Sequence, residues 1–408
     1  ALIIKSEIFA LNIGFFHIYP FRACILLLSF ILFRDLLKER KIKINKQKEN
    51  YYSIGFMTVW VIYAFFSLAW VKDYTGWSKS LYFLVNGLII YIGFSKYLIE
   101  KSDILKAFRA ASIIIGMHMI IGWYEIFTGN YLFLEFDRLG WYTINKFPVS
   151  SFTNVNDFAT FMLFSVCVFY ICLMNAKSKV AKGLYFLSLI SSVLLIGASK
   201  SRANLLGLII SIMIFVILSI RYKETRYGLL ILFSVAFVVV LFKPEILTNL
   251  ISYINENLNF NFSSESGSDG VRMNLIKNGI YFLTCTLGFG VGSGNIEYWM
   301  EYRARNETFE ILNMHNWWAE ILVAYGFIIF VLYLGFYVKL FVSFYRKYKF
   351  SKDKVDRFMS LGIMCFMVGF VIGSMSSSSN IGSQWLWVFW GVAVAYQGIV
   401  LKPNNRLE

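Results

Sequence analysis

Long apolar segments recur along almost the whole chain and are separated by short polar connectors. Each segment is roughly 18–25 residues long, enough for a helix to cross a hydrocarbon core about 30 Å thick. Lipid offers exposed backbone groups no hydrogen-bond partner, so such segments form helices. The pattern predicts an all-α polytopic membrane protein with about 11–12 transmembrane helices. The predicted spans are residues 18–34, 51–71, 79–99, 104–127, 156–175, 183–198, 203–220, 227–243, 317–342, 358–375 and 384–401.

One long polar stretch interrupts this pattern and divides the chain into three parts. Residues 1–243 form a predicted helix bundle, whose first helix we expect to be truncated because apolar residues precede the first span. Residues 244–316 form a large extracytoplasmic loop that begins with an amphipathic stretch and contains a short predicted helix at 271–283. Residues 317–408 supply the last three transmembrane helices and a cytoplasmic tail.

The apolar run at 184–220 is too long for a single crossing, because one helix of that length would extend roughly 54 Å. The run is broken by polar residues at 199–202, which predict a tight hairpin with Ser199 or Ser201 as the N-cap of the second helix. Arg202 then lies in the first helical turn, where the helix dipole disfavours a cation. A phosphate bound at this helix end would explain the arginine.

Composition and charge support the membrane assignment and fix its predicted orientation. The chain is 58% hydrophobic and 15% charged, with a net charge of +15. Most Lys and Arg residues fall in short connectors on one side of the predicted spans, and the positive-inside rule makes that side cytoplasmic. The basic residues therefore indicate topology, and nucleic-acid binding is not expected. The five cysteines show neither a metal-ligand nor a disulfide pattern.

The end of the large loop carries a candidate general base. His315 is one of three histidines and directly precedes the ninth span, at the outer membrane surface. A histidine with a near-neutral pKa suits deprotonation of a hydroxyl, although an interfacial histidine beside Trp317 and Trp318 is an equally simple interpretation. Asn316 and Glu320 are predicted to orient the ring.

Several other residues are supporting candidates, each with an ordinary structural alternative. Asn154 and Asp157 begin the fifth span, where helix capping and a favourable dipole interaction are the simpler interpretation. Lys200 and Arg303 are further cations on the outer side. The glycine string GFGVGSGN at 288–295 has GxGxGxG spacing without a βαβ context, so a turn packed on the membrane helices is favoured over a nucleotide site.

Topology brings the strongest candidates to one face. Arg202, Arg272 and His315 are all predicted at the outer membrane surface, each at or near a helix start. Two guanidinium groups suit a diphosphate, and a diphosphate at the outer leaflet indicates a polyprenyl-diphosphate-linked substrate. The predicted chemistry is glycosyl transfer to an acceptor hydroxyl, with the arginines stabilising the leaving group. We predict no metal or cofactor.

The sequence resembles the O-antigen ligase and polymerase superfamily, which includes surface-polysaccharide polymerases of the Wzy type and teichuronic acid proteins. The resemblance is carried by FTNVNDFA (152–159), ASKSRANLLGL (198–208), GVRMNLIKNGIYFLTCTLGFGVGSGN (270–295) and MHNWWAEILVAYGFIIFVLY (314–333). It implies a GT-C-like glycosyltransferase bundle that is inverting and metal-independent.

The family's functional residues map onto three positions of this chain. The resemblance implies diphosphate binding by Arg202 and Arg272, and activation of the acceptor hydroxyl by His315. Lys200 before the Ser-Arg pair, and Asn274 where many members have a nearby Trp, depart from the family pattern. These departures leave the sugar and the acceptor open.

We therefore predict a membrane glycosyltransferase that polymerises surface-polysaccharide repeat units, such as those of capsule or lipopolysaccharide, from undecaprenyl diphosphate. The alternatives are an O-antigen ligase acting on lipid A core or another wall acceptor, and a lipid-linked oligosaccharide flippase or transporter, which would show internal repeats and mid-membrane charges. A metal-dependent transferase with a carboxylate base is a further rival. Expected partners are the lipid-linked donor, the glycan acceptor, membrane lipids, a chain-length regulator and a flippase. The expected location is the bacterial cytoplasmic membrane, with the site outside and the C-terminus inside.

Overall fold

The structure is a computed structural model that describes residues 11–13, 16–40, 48–133, 139–220 and 268–399, together with residues 226 and 252. A two-stranded antiparallel hairpin, β1 (Leu11–Ile13) and β2 (Phe16–Ile18), pairs Leu11 with Ile18. The other regular elements of the described chain are helices. They are α1 (Pro20–Glu39), α2 (Lys48–Phe66), α3 (Tyr74–Tyr97), α4 (Lys101–Thr128), α5 (Leu139–Asn145), α6 (Val155–Met174), α7 (Lys179–Ala198), α8 (Arg202–Ser219), α9 (Ser268–Cys285), α10 (Ile296–Arg303), α11 (Trp317–Phe350), α12 (Lys354–Gly373) and α13 (Gln384–Gln397), with a short 3-10 helix at Ser67–Ala69.

The predicted all-α polytopic membrane fold is confirmed. Seven helices in the described part of the chain are long and apolar enough to cross a membrane: α2, α4, α6, α7, α8, α11 and α12. Helices α1, α3 and α13 occupy three further predicted spans. The predicted span 227–243, most of the amphipathic start of the large loop, and the C-terminal tail lie outside the described residues.

Small residues let α8 and α12 pack with their backbones in close contact. A Cβ atom on Gly207 of α8 would lie 2.6 Å from the backbone oxygen of Gly369 in α12. The Ser211 hydroxyl donates a hydrogen bond of 2.8 Å to the backbone oxygen of Cys365 across the same contact. Helices in membranes associate through such small-residue and polar contacts. This packing places the start of α8 beside the end of α12.

The glycine string supports a broken transmembrane helix, which confirms its interpretation as scaffold. Helix α11 is interrupted at Gly326, whose φ is 75° and ψ is −179°. The backbone N–H groups of Val291 and Gly292 donate 2.9 Å hydrogen bonds to the oxygens of Val323 and Ala324. Carbonyls freed by a helix break need such partners within a membrane.

The helix ends that carry or adjoin the candidate site residues lie at one end of the bundle. Helices α6, α8 and α11 begin there and α12 ends there, as the hydrogen bond from Trp317 N to Ser374 O (3.1 Å) shows. The other end carries basic connectors, including the ion pair of Lys101 with Asp353 at 2.8 Å.

Candidate functional site

Arg202 is the first residue of α8 and lies in a tight turn. The predicted hairpin is confirmed: α7 ends at Ala198 and α8 starts at Arg202. Ser201 occupies the N-cap position but makes no side-chain capping bond. Its hydroxyl donates instead to Asn156 Oδ1 at 2.7 Å. Ser201 therefore contributes no side-chain capping oxygen to the start of α8.

Arg202 makes a two-pronged ion pair with Asp269 of α9. Nη1 lies 2.7 Å from Oδ2 and Nη2 lies 2.6 Å from Oδ1. Asp269 is 6% exposed and the Arg202 side chain 21% exposed. The guanidinium therefore presents a planar pair of donors to two oxygens of one anionic group, the geometry that arginine also uses for phosphates.

Arg272 lies one helical turn after Asp269, on the same short helix. The predicted helix at 271–283 is confirmed, with observed bounds Ser268–Cys285. Burial lowers the pKa of Arg272, the positive charge of Arg202 lowers it further, and the carboxylate of Asp269 opposes both effects. The charges of Arg202 and Asp269 both act on Arg272, although Arg202 and Arg272 are seventy positions apart in the chain. Arg202, Arg272 and Asp269 together carry one net positive charge, which attracts anions.

His315 lies within the electrostatic range of Arg272. Burial and the charge of Arg272 lower the pKa of His315 to about 4, while a hydrogen bond with the backbone of Ser376 acts in the opposite direction. Its Nδ1 atom is buried and has no hydrogen-bond partner in the described part of the chain. The backbone φ of 48° is a left-handed conformation that residues other than glycine seldom adopt. The near-neutral pKa expected from the sequence is therefore wrong, because burial and the charge of Arg272 disfavour the protonated ring. The ring is neutral at pH 7 and keeps an unused nitrogen as proton acceptor, and the lowered pKa makes that nitrogen a weaker base than an ordinary histidine.

The structure thus brings Arg202, Arg272 and His315 to one place, as predicted from topology. Sequence reasoning missed the segment that joins their supporting elements, Ser374–Ser379, which we call the serine turn. Its side chains bond to residues at the starts of three helices. Ser376 accepts from Asn204 Nδ2 at 3.3 Å, Ser377 lies 3.0 Å from Thr160, Ser378 donates to Asp157 at 2.5 Å, and Ser379 donates to Glu320 at 2.8 Å. The run of four serines in an outward connector was the available signal.

The residues at the start of α6 have structural contacts. Asn154 caps the helix by accepting from the backbone N–H of Asn156 at 2.7 Å, which confirms the capping interpretation. Asp157 accepts from both the backbone N–H and the hydroxyl of Ser378. Asp157 therefore holds the serine turn against α6.

Asn316 and Glu320 bond to groups other than the imidazole they were predicted to orient. Asn316 Oδ1 caps α11 by accepting from the backbone N–H groups of Trp318 and Ala319, at 3.1 and 3.2 Å. Glu320 accepts from Ser379 at 2.8 Å. In the described part of the chain neither has a hydrogen bond to His315, so the contacts assign capping to Asn316 and place Glu320 against the serine turn.

The two remaining supporting cations are exposed. Lys200 has a left-handed backbone (φ 51°) and its ammonium lies 5.8 Å from the centre of the Phe147 ring. Arg303 is the last residue of α10. Within the described ranges, no group of three or more His, Cys, Asp or Glu side chains could hold a metal ion.

Comparisons with known proteins agree with this arrangement. Residues 186–334, which contain Arg202, Arg272 and His315, match the family model described as O-Antigen ligase. The chain is 28% identical over 415 residues to "Teichuronic acid biosynthesis protein TuaE" of Bacillus subtilis (strain 168), covering 99% of this chain and 84% of that protein. These matches confirm the predicted resemblance and support a polysaccharide polymerase or ligase role for a multi-pass membrane protein.

Proposed function

We propose that this chain, as a protein of the O-antigen ligase and polymerase superfamily, is a glycosyltransferase that uses a glycan carried on undecaprenyl diphosphate. The acceptor is a sugar hydroxyl at the outer face of the cytoplasmic membrane. The observation that carries the proposal is the ion pair of Arg202 with Asp269, with the charge of Arg272 close to both and to a neutral histidine.

The arginines would bind and neutralise the leaving group. Arg202 binds two oxygens of one anionic group in the geometry observed with Asp269, and Arg272 supplies a second positive charge next to it. As the bond between the sugar C1 and the diphosphate oxygen breaks, negative charge accumulates on that oxygen. Guanidinium groups beside that oxygen stabilise the developing charge.

His315 would supply the proton acceptor. The acceptor hydroxyl transfers its proton to the imidazole while its oxygen attacks the sugar C1 from the face opposite the diphosphate. One C–O bond forms, one breaks, and the configuration at C1 inverts. The low pKa of His315 keeps the ring unprotonated before the reaction. The acquired proton leaves the site after product release.

Polymerisation, with a second lipid-linked repeat unit as acceptor, is the function we favour. The teichuronic acid biosynthesis protein aligns with 99% of this chain, which supports synthesis of a surface polysaccharide. Ligation to lipid A core or another wall acceptor is the second candidate, because the matching family model is described as O-Antigen ligase. The two functions share the donor chemistry and differ in the acceptor.

The test is single replacement of Arg202, Arg272 and His315 by Ala in the purified full-length protein, with Arg303→Ala as an exposed-cation control. Each protein is incubated with lipid-linked repeat units. We expect the wild type and the control to form a ladder of products. The His315 variant should bind undecaprenyl diphosphate without forming products, and the arginine variants should bind it weakly. Full activity of His315→Ala contradicts the assignment of the base.

A further inference from the structure

We infer that a cavity adjoining the His315 segment binds the accepting end of the glycan, and that it selects an uncharged sugar over an anionic one. The inference rests on the proposed function and identifies a second subsite for that reaction. Its basis is the position of the cavity relative to His315 and the charges that line it.

The cavity has a volume of about 270 Å³ and lies between the start of α3, the start of α10, the first turns of α11 and the serine turn. Asn313 and Met314, which line it, are the two residues immediately before His315. Ser378 and Ser379, which also line it, belong to the serine turn that bonds to His315 through Ser376. His315 itself does not line the cavity, but an occupant would contact the two residues before it and the serine turn that bonds to it.

The lining offers groups that suit sugar hydroxyls. Asn313 and Ser379 can both donate and accept hydrogen bonds, and carboxylates accept them. Phe83 and Tyr325 add aromatic surface. A few converging polar groups on a partly apolar wall are typical of small-ligand sites.

An unsatisfied amide lies next to lining residues in the sequence. Asn380 lies between the lining residues Ser379 and Ile381 and is 2% exposed. Its Nδ2 atom has no hydrogen-bond partner in the described part of the chain. Buried polar groups are normally paired, but Asn380 does not itself line the cavity, so its amide is no part of the argument for an occupant.

Charge determines which sugars fit. Two carboxylates, from Asp73 and Glu297, and the buried carboxyl group of Glu320 line the cavity, against one cation, Lys79. A sugar that carries a carboxylate would add another negative charge to this group, which like-charge repulsion disfavours. Neutral sugars, whose hydroxyls donate to the carboxylates, incur no such penalty. The charge that lines the cavity is thus opposite in sign to the charge of Arg202 and Arg272, which would hold the donor diphosphate.

The first experiment measures acceptor use separately from donor binding. Undecaprenyl-diphosphate-linked repeat units serve as donor, and the same repeat unit on a short alkyl aglycone serves as an acceptor that lacks a diphosphate. Glu297→Gln and Asn313→Ala are compared with Glu301→Gln, an exposed position on α10 that does not line the cavity. We expect a rise in acceptor KM of about tenfold for each cavity variant, unchanged binding of undecaprenyl diphosphate, and wild-type values for the control. Unchanged acceptor KM in both cavity variants overturns the inference.

The second experiment tests the charge preference. The alkyl acceptor is compared with a form whose terminal sugar is oxidised at C6 to a carboxylate. We expect the wild-type protein to favour the uncharged form by about tenfold or more, and Glu297→Lys to reduce that preference. Equal use of both forms by the wild type overturns the charge argument. Absence of any transfer by the wild type overturns the proposed function as well, whereas normal transfer with unaltered acceptor kinetics overturns this inference alone.

Discussion

His315 makes the stability of the protein depend on pH in a direction that can be worked out. The pKa of this histidine falls from 6.5 to about 4 in the folded protein, first because the ring is buried and second because Arg272 is close. A tenfold change in proton affinity corresponds to about 1.4 kcal/mol, so keeping the ring neutral corresponds to about 3 kcal/mol of differential stability. Between these two pKa values the unfolded chain binds the proton and the folded protein does not.

The sign follows from that difference in bound protons. This group's contribution to stability is fully present above pH 6.5 and is lost as pH falls through about 4. Thermal unfolding of the detergent-solubilised protein at a series of pH values measures the effect. In His315→Gln this part of the acid destabilisation should disappear. An identical pH dependence in the wild type and this variant would refute the reasoning.

The pH dependence of catalysis should report the same pKa of His315. The acid limb of kcat/KM for the donor reports the free enzyme and should have its midpoint well below 6.5, near 4. Arg272→Gln removes the smaller of the two lowering causes, so the midpoint of its residual activity should move upward without reaching 6.5. Arg303→Gln, an exposed change, should leave it in place. A wild-type midpoint at or above 6.5 would contradict the assignment of His315 as the free base.

Two further predictions concern the scaffold and the arginine pair. In Gly290→Ala the new Cβ would lie 2.5 Å from the backbone nitrogen of Gly326 at a φ of 82°. Thermal unfolding should show that the free energy of unfolding falls by about 1–3 kcal/mol. The control is Gly183→Ala, where a new Cβ has nothing within 4 Å, and it should be neutral or slightly stabilising. Equal effects of the two substitutions would contradict the packing argument. Asp269→Asn removes the negative charge that pairs with Arg202 and should lower the free energy of unfolding by about 3–5 kcal/mol. Added undecaprenyl diphosphate should raise the Tm of this variant more than that of the wild type, and an equal rise would show that Asp269 and the diphosphate do not share Arg202.

The membrane helices could be predicted from the sequence because hydropathy and the backbone's need for hydrogen bonds leave lipid-exposed segments little choice. The placing of Arg202 and His315 at the same end of the bundle followed from the alternation of spans. The break at Gly326 could not be found in this way, since apolar residues continue on both sides of it. The break depends on carbonyl partners from the glycine string, which is distant in sequence.

The contacts within the site were the least predictable part. Asp269 meets Arg202 across 67 positions, and no local pattern specifies that pair. The roles of Asp157 and Glu320 depend on the serine turn, which lies 221 and 59 positions away from them. Sequence reasoning therefore identified residues with suitable chemistry, while the structure assigned their partners.

The most direct test of the central claim is a transfer assay with the purified full-length protein, lipid-linked repeat units and EDTA. We expect a ladder of products from the wild type, released undecaprenyl diphosphate, and inverted configuration at the transferred sugar. We expect no products from His315→Ala, although that variant should still bind undecaprenyl diphosphate. Products from His315→Ala at the wild-type rate, or a wild-type reaction that requires added Mg²⁺ or Mn²⁺, would contradict the proposed mechanism.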